Sequence, residues 1–258
     1  MSPEGALTPP EGMKFIEGYR NKYKGSTFWI IGCDPNLDFY PNNFFEDKFS
    51  IAINVSCIAF SSSTFLFTQW KCYADAIRDA RPDFLKRMIL RFSSSPPAPP
   101  SLASWADYGL DPIYTRPFQK PVAYITLRDW EEMAKQIFEG ADKVEFITIA
   151  TSVTIAIGAA AVLGAKRIVL VGCSAKTTKH LFHAQKRGMW LFLHEKPDYE
   201  YPADWQSGEE QKWLKPMRTD VDRLAKIFKR YGVELIRHRY DEQEGEFVFE
   251  AIKEDLTT

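Results

Sequence analysis

Short runs of apolar residues, each followed by a polar or glycine residue, recur along the chain and predict the strands of an α/β sheet. The clearest runs are Thr27 to Ile31 and Arg167 to Val171. Because their apolar residues are consecutive rather than alternating, both faces of these strands are expected to be buried, as in a parallel sheet. Further runs are assigned to the same sheet at Ser50 to Val55, Thr64 to Phe67, Met88 to Phe92, Pro121 to Leu127 and Val233 to Ile236.

Apolar residues spaced three or four apart predict helices between these strands. Arg128 to Glu139 and Thr219 to Arg230 each carry one apolar stripe, whereas Thr151 to Leu163 is rich in small residues and can lie close to a sheet. Gly164 is expected to end that helix. A short helix is also expected within Met13 to Lys24. These elements predict an α/β fold with a Rossmann-like open, mostly parallel sheet and helices on both faces.

The domain organisation follows from the same pattern. Residues 1–24 form an N-terminal extension with the short helix, 25–240 a single α/β domain, and 241–258 a C-terminal tail. Within the domain, residues 176–215 are rich in aromatic and charged side chains and are expected to form a lid-like insertion over a ligand, with a partner-binding segment as the alternative. The chain has 258 residues, 45% of them hydrophobic, which is enough for one large core.

Charge and cysteine content narrow the classes of partner. The chain has 33 basic and 34 acidic residues, so no overall positive field would attract nucleic acid or an anionic membrane. Four cysteines without a CxxC spacing indicate reduced thiols rather than a disulfide scaffold. Their spacing matches no zinc signature, so no metal ligand is assigned, and a metal site or redox pair at Cys33 and Cys173 is the alternative. Without a transmembrane segment, the protein is expected to be cytoplasmic. The sequence leaves a homo-oligomer open.

Polar and glycine residues follow the predicted strands at the edge where an open α/β sheet binds its ligands. Backbone N–H groups in such turns and at helix N-termini favour anions. Asp34 would repel a phosphate unless a cation lay between them, so it is expected to bind ribose or hold a metal. Ordinary turn formation and helix capping are the alternatives. The expected ligand-binding residues are Gly32, Asp34, Pro35, Asn36, Asn54, Thr151, Ser152 and Gly172.

The loop after the strand that ends at Val171 gathers cations, hydroxyls and imidazoles. Lys176 is expected to contact a phosphate, because an ammonium group is a strong donor to phosphate oxygens. His180 and His183 are the expected acid or base groups, since histidine changes protonation near neutral pH. A solvated basic loop is the alternative.

The order of these motifs resembles the bacterial sialyltransferases of glycosyltransferase family 42, and also the related motility-accessory glycosyltransferases and archaeal pterin pyrophosphokinases. The resemblance covers roughly residues 25–70 and 145–237. It comprises Gly-x-x-Pro-x-Leu after the first strand, an Asn after the second, Thr-Ser before a helix ending in Leu-Gly-Ala-Lys, a Val-Leu-Val-Gly strand and an Arg-Thr-Asp helix.

The resemblance implies a glycosyltransferase that binds a nucleotide-activated sugar, a CMP-linked nonulosonate such as sialic acid, and transfers it to a hydroxyl acceptor. The first turn, Asn54 and the Thr-Ser pair would hold the nucleotide. His183 or His180 would deprotonate the acceptor, and Lys176 would stabilise the departing phosphate. No further cofactor is required, because the transfer is a direct displacement.

The chain also departs from that family. Val153 stands where a Gly follows the Thr-Ser pair, and Ser174 replaces an acidic residue. The position of the catalytic His of the family aligns near Lys215, followed by Arg218-Thr219-Asp220. Two other functions therefore stay open. One is a Mg²⁺-dependent pterin pyrophosphokinase that uses Asp34, and the other is a nucleotide- or glycan-binding protein without catalysis.

Overall fold

The protein is an α/β structure built on a mostly parallel sheet of ten strands. A computed structural model describes residues 14–54, 56, 60, 63–68, 88–91, 113–118, 124–147, 152–173 and 214–252. The strands are β1 Lys14–Phe15, β2 Thr27–Ile31, β3 Phe49–Ile53, β4 Phe65–Thr68, β5 Met88–Arg91, β6 Ile113–Pro117, β7 Glu145–Phe146, β8 Arg167–Val171, β9 Glu234–Asp241 and β10 Glu246–Ala251. The α-helices are α1 Leu127–Phe138, α2 Ser152–Val162 and α3 Leu214–Arg230.

The strand order is β1-β6-β5-β4-β3-β2-β8-β9-β10, with β7 paired to β6. Every pairing is parallel except the β9–β10 hairpin. From β2 the chain proceeds outward through β3, β4, β5 and β6, and later returns to place β8 on the other side of β2. Ile30 lies between Ile51 on β3 and Leu170 on β8. The direction of the strand order therefore reverses between β2 and β8.

The central strands have the burial expected from their consecutive apolar residues. Phe28 and Ile30 face the helices as part of the main core, and Trp29 and Ile31 are buried on the opposite face. The sequence predicted the bounds of β2 and β8 correctly, and those of β3, β4 and β5 to within two residues.

The three described helices cover one face of the sheet. α2 packs on β2, β3, β4 and β8, and α3 packs on β9 and on the other two helices. All residues of α2 are buried, and a Cβ added at Gly158 would lie 2.7 Å from the ring of Phe146. Close packing therefore requires the small-residue composition of α2. Gly164 ends this helix at φ +99°, as predicted.

Aromatic side chains rather than described helices occupy the opposite face. Trp29 packs edge-on against Phe44, Phe45 and the imidazole of His238. Tyr40 is also buried in this cluster. None of α1, α2 and α3 lies on this face, so the described residues show helices on one face only.

Three expectations about the periphery differ from the structure. Residues 14–24 form β1, one 3₁₀ turn and further turns, because the N–H groups of Asn21 and Tyr23 bond to the carbonyls of Val162 and Leu163 at the end of α2, which interrupts a continuous helix. The strand expected at Pro121 to Leu127 is wrong where the structure describes it: residues 124–126 are not in a strand, and α1 begins at Leu127. The strand of this part of the chain is β6, at Ile113–Pro117. The segment 241–258 contains β10, which pairs with β9 and lies outermost in the sheet.

None of the helices in the described ranges is both long and apolar enough to cross a membrane.

Candidate functional site

The two turns at the strand-order reversal are packed directly against each other. The N–H of Gly32 donates to the carbonyl of Val171 over 2.8 Å, and the N–H of Asp34 donates to the carbonyl of Gly172 over 3.1 Å. A Cβ at Gly32 would lie 2.1 Å from the Gly172 oxygen. Gly172 has φ +61°, and its own Cβ would lie 2.7 Å from Leu37. Contact between the two turns therefore requires glycine at both positions.

The first turn is held rigidly by its own polar side chains. Asp34 is 9% exposed and begins the 3₁₀ helix Pro35–Phe39, accepting a 2.9 Å hydrogen bond from the N–H of Asn36. The side-chain amide of Asn36 donates to the carbonyl of Tyr240 and accepts from its N–H, both at 3.0 Å. Asn36 therefore joins the turn to β9.

The carboxyl ends of β2 and β3 are also joined. The hydroxyl of Ser56 lies 2.9 Å from the carbonyls of both Ile31 and Ile53. Asn54, directly after β3, has the left-handed φ of 55°, and its N–H donates to the carbonyl of Phe67. Asn tolerates this conformation better than most residues, which explains why it can end the strand here.

The N-terminus of α2 points to the same edge. Its C-terminal end lies at the amino ends of the strands, where Gly164 accepts from the N–H of Gly25 just before β2. Eleven helical residues span about 16 Å, so Ser152 lies at the level of the carboxyl ends. Ser152 and Thr154 are both buried. Thr151 lies outside the described residues.

The two thiols at this edge, of Cys33 and Cys173, are buried and are not joined in a disulfide. Cys33 donates to the carbonyl of Ile53, and Cys173 to that of Val171. Burial raises the pKa of Cys173, and the charge of Asp34 raises it further, while Arg237 opposes the shift. Cys173 is therefore a neutral thiol at physiological pH, which makes it a poor nucleophile. Among the described residues, no group of three or more His, Cys, Asp or Glu side chains is arranged to hold a metal ion.

Asp220 is a buried acidic residue that the sequence analysis did not assign to the site. It is 3% exposed, and its Oδ2 has no hydrogen-bond partner. Burial raises its pKa to about 6, against the opposing charge of Arg223, whose Nη1 lies 3.3 Å from Oδ1. The sequence did contain a signal for this burial, because Asp220 lies four residues before Leu224 and therefore on the apolar stripe of α3.

His238 is a second buried titratable group that the sequence did not indicate. Its Nδ1 lies 2.8 Å from the hydroxyl of Tyr40, which also donates to the His238 carbonyl. Burial lowers the pKa of His238 to about 4, with a smaller contribution from Lys48. Burial also raises the pKa of Tyr40. Both groups are therefore neutral at pH 7, and they support the aromatic face.

The structure brings most of the expected nucleotide-binding positions to one edge: Gly32, Asp34, Pro35, Asn36, Asn54, Ser152 and Gly172. The expected catalytic residues Lys176, His180 and His183 lie outside the described residues, as does most of the lid 176–215. No protein-family model, curated protein or solved structure matches this chain. Function is therefore inferred from the residues at the carboxyl edge.

Proposed function

We propose that this protein binds a nucleotide-activated sugar at the carboxyl edge of its sheet and transfers the sugar to a hydroxyl acceptor. The observation that carries the proposal is the reversal of strand order between β2 and β8. Ligands of open α/β sheets bind outside the carboxyl ends of the strands at such a reversal. In this proposal the fold is Rossmann-like, and residues 176–215 form a lid over the bound donor.

The phosphate half of the donor is assigned to the N-terminus of α2. The first N–H groups of a helix have no partner within it, and its dipole favours negative charge. Ser152 begins α2 at this edge. Lys176 is proposed to approach the same phosphate from the loop after β8 and to stabilise it as it leaves.

The nucleoside half is assigned to the first turn and to Asn54. The carboxylate of Asp34 is suited to ribose hydroxyls, which donate hydrogen bonds, and not to phosphate, which it would repel. A CMP-linked nonulosonate, such as a sialic acid donor, is the proposed substrate class. This choice rests on the resemblance in motif order to the family 42 sialyltransferases.

A thermal-unfolding panel tests the proposal. CMP, CDP, UDP, GDP and ATP are each added with and without Mg²⁺. A ligand at a hundred times its dissociation constant stabilises the native state by about 2.7 kcal/mol, or roughly 5 to 11 °C in a chain of this size. Stabilisation by cytidine nucleotides without Mg²⁺ is the expected result.

The other outcomes separate the rival functions. A shift with ATP only in the presence of Mg²⁺ would contradict the proposal and favour the pterin pyrophosphokinase, with Asp34 as the metal-binding carboxylate. Tight cytidine-nucleotide binding without sugar transfer to any hydroxyl acceptor would favour a binding protein. No shift with any nucleotide would refute nucleotide binding.

A further inference from the structure

Direct transfer to a hydroxyl requires a group that accepts the proton of the acceptor. The sequence offers His180 and His183 for this role. The described part of the chain contains another group of suitable chemistry, Asp220 on α3.

The geometry of α3 and β9 places Asp220 at the carboxyl edge. α3 ends at Arg230, just before β9 begins at Glu234, so the two elements run in opposite directions. Asp220 precedes Arg230 by ten residues, which is about 15 Å along the helix axis. Four to five residues of a strand cover the same distance. Asp220 therefore lies level with residues 238–239, one step beyond the pairing of Arg237 with Leu170. That level is the end of β8.

Within the described ranges, α3 and β9 each contain one buried polar side-chain atom that has no hydrogen-bond partner. Oδ2 of Asp220 and Nε of Arg237 are both buried without a hydrogen-bond partner. Side chains alternate along a strand, so Arg237 shares the helix-covered face of β9 with Leu235, which belongs to the main core. Arg237 also acts electrostatically on Cys173, the residue after Gly172 at the strand-order reversal. This connects the layer beneath α3 to the proposed donor site.

Buried polar atoms are nearly always paired in folded proteins, because leaving one unpaired is strongly unfavourable. An unpaired buried carboxylate oxygen at the ligand-binding edge is therefore explained if a ligand group is its partner. A hydroxyl of the acceptor has the required chemistry, since it donates a hydrogen bond to Oδ2 and can pass its proton along that bond.

We propose that Asp220 is the catalytic base of the transfer proposed above. Oδ2 takes the proton from the acceptor hydroxyl as the acceptor oxygen forms its bond to the anomeric carbon of the sugar. The bond from that carbon to the phosphate oxygen breaks, and its electron pair leaves with the nucleoside monophosphate, CMP. The proton on Asp220 is then released to solvent. This inference rests on the proposed function, and no oxidant, reductant or metal is needed to balance the step.

The raised pKa of Asp220, about 6, agrees with this role. A base is most effective when its pKa lies near the working pH, because it is then both unprotonated and basic enough to accept a proton. Arg223 favours the ionised form that accepts the proton, through its charge and its hydrogen bond to Oδ1 of Asp220.

The test compares Asp220→Asn, Asp220→Glu and His183→Ala with the unaltered chain in CMP binding and in transfer from a CMP-linked sialic acid. Asp222→Asn is the matched control, because it removes the same charge from a less buried position two residues along the same helix. Asp220→Asn is expected to bind CMP like the unaltered chain and to lose at least about a hundredfold in kcat.

The pH profile supplies a readout that a merely structural role would not move. The unaltered chain is expected to lose kcat/KM below about pH 6, as Asp220 becomes protonated. Asp220→Glu is expected to recover part of the activity with a displaced acid limb. Asp222→Asn is expected to keep the original rate and profile.

Failure of this inference and failure of the proposed function give different results. If the unaltered chain transfers sugar and Asp220→Asn does so equally well, Asp220 is not the base while the transferase function stands. Loss of transfer in His183→Ala with an undisturbed Asp220→Asn would give the role to the histidine. If the unaltered chain neither binds CMP nor transfers sugar, both proposals are wrong.

Discussion

The charge of Asp220 should make the stability of this protein fall as the pH rises from about 4 to 6. The ordinary carboxyl pKa of 3.8 is raised to about 6 by burial in the folded chain. Between these values the native state binds more protons than the unfolded state, so the free energy of unfolding decreases with increasing pH. Each pKa unit corresponds to 1.36 kcal/mol, which gives a total of about 3 kcal/mol.

Asp220→Asn removes this titration and keeps the shape of the side chain. The free-energy difference between the variant and the unaltered chain should therefore change with pH. From pH 3.5 to pH 7 it should shift by about 3 kcal/mol in favour of the variant, which corresponds to roughly 6 to 12 °C in melting temperature. Little solvent screening is expected, because Asp220 is only 3% exposed.

Urea unfolding at a series of pH values is the assay, and Asp222→Asn is the control. Asp222 is half-buried on the same helix, so its substitution should give a difference that varies much less with pH. A difference for Asp220→Asn that is constant across pH, or that moves against the variant as pH rises, would refute the argument from burial. A buried charge that destabilises the fold is typical of functional sites, because a residue needed for activity is kept even where it lowers stability.

Further predictions concern the rigidity of the carboxyl edge and the aromatic face. Gly32→Ala should destabilise the chain by at least about 2 kcal/mol in urea unfolding, because its Cβ would overlap the Gly172 carbonyl. Gly18→Ala is the control and should have little effect, because the space around Gly18 is open. Asn36→Ala should destabilise by about 1 to 3 kcal/mol by leaving two groups of the β9 backbone unpaired, and an unchanged unfolding midpoint would contradict this. His238→Phe should remove about 3 kcal/mol of acid destabilisation between pH 6.5 and pH 4, since the buried imidazole resists protonation. Equal acid sensitivity of both chains would show that His238 is not the cause.

The sequence was sufficient for the centre of the sheet because local pattern and tertiary burial agree there. Thr27–Ile31 and Arg167–Val171 are apolar at consecutive positions, and only a strand buried on both faces suits that pattern. α1 was predictable from its apolar stripe, which buries Trp130, Met133 and Ile137. The carboxyl-edge residues follow from the same reasoning, since the end of each strand locates the edge.

The edges of the sheet were harder to predict because their hydrogen bonds come from distant parts of the chain. The residues after Lys14 have helical apolar spacing, but the N–H groups of Asn21 and Tyr23 bond to carbonyls at the end of α2. β6 at Ile113–Pro117 contains a Thr, an Arg and a Pro, and it is stabilised as a strand by β1, β5 and β7. β10 at Glu246–Ala251 contains the consecutive residues Phe247, Val248 and Phe249, and this short run of β-favouring residues was available in the sequence.

The roles of individual site residues depended on contacts that no motif encodes. Gly32 and Gly172 suit a phosphate-binding turn, yet their lack of side chains is required by contact between the turns themselves. Asn36 suits a nucleotide contact, yet both ends of its amide bond to β9. A buried acid such as Asp220 differs in sequence from a surface acid only by its position on the apolar stripe.

Hydrogen–deuterium exchange with and without CMP tests the central claim most directly, because it locates the ligand as well as detecting it. The account predicts protection of peptides that cover Gly32–Asn36, the N-terminal turn of α2 and the segment after Val171, with CMP but without a Mg²⁺ requirement. Exchange unchanged at this edge under saturating CMP, or protection confined to peptides of α3, β9 and β10, would contradict it.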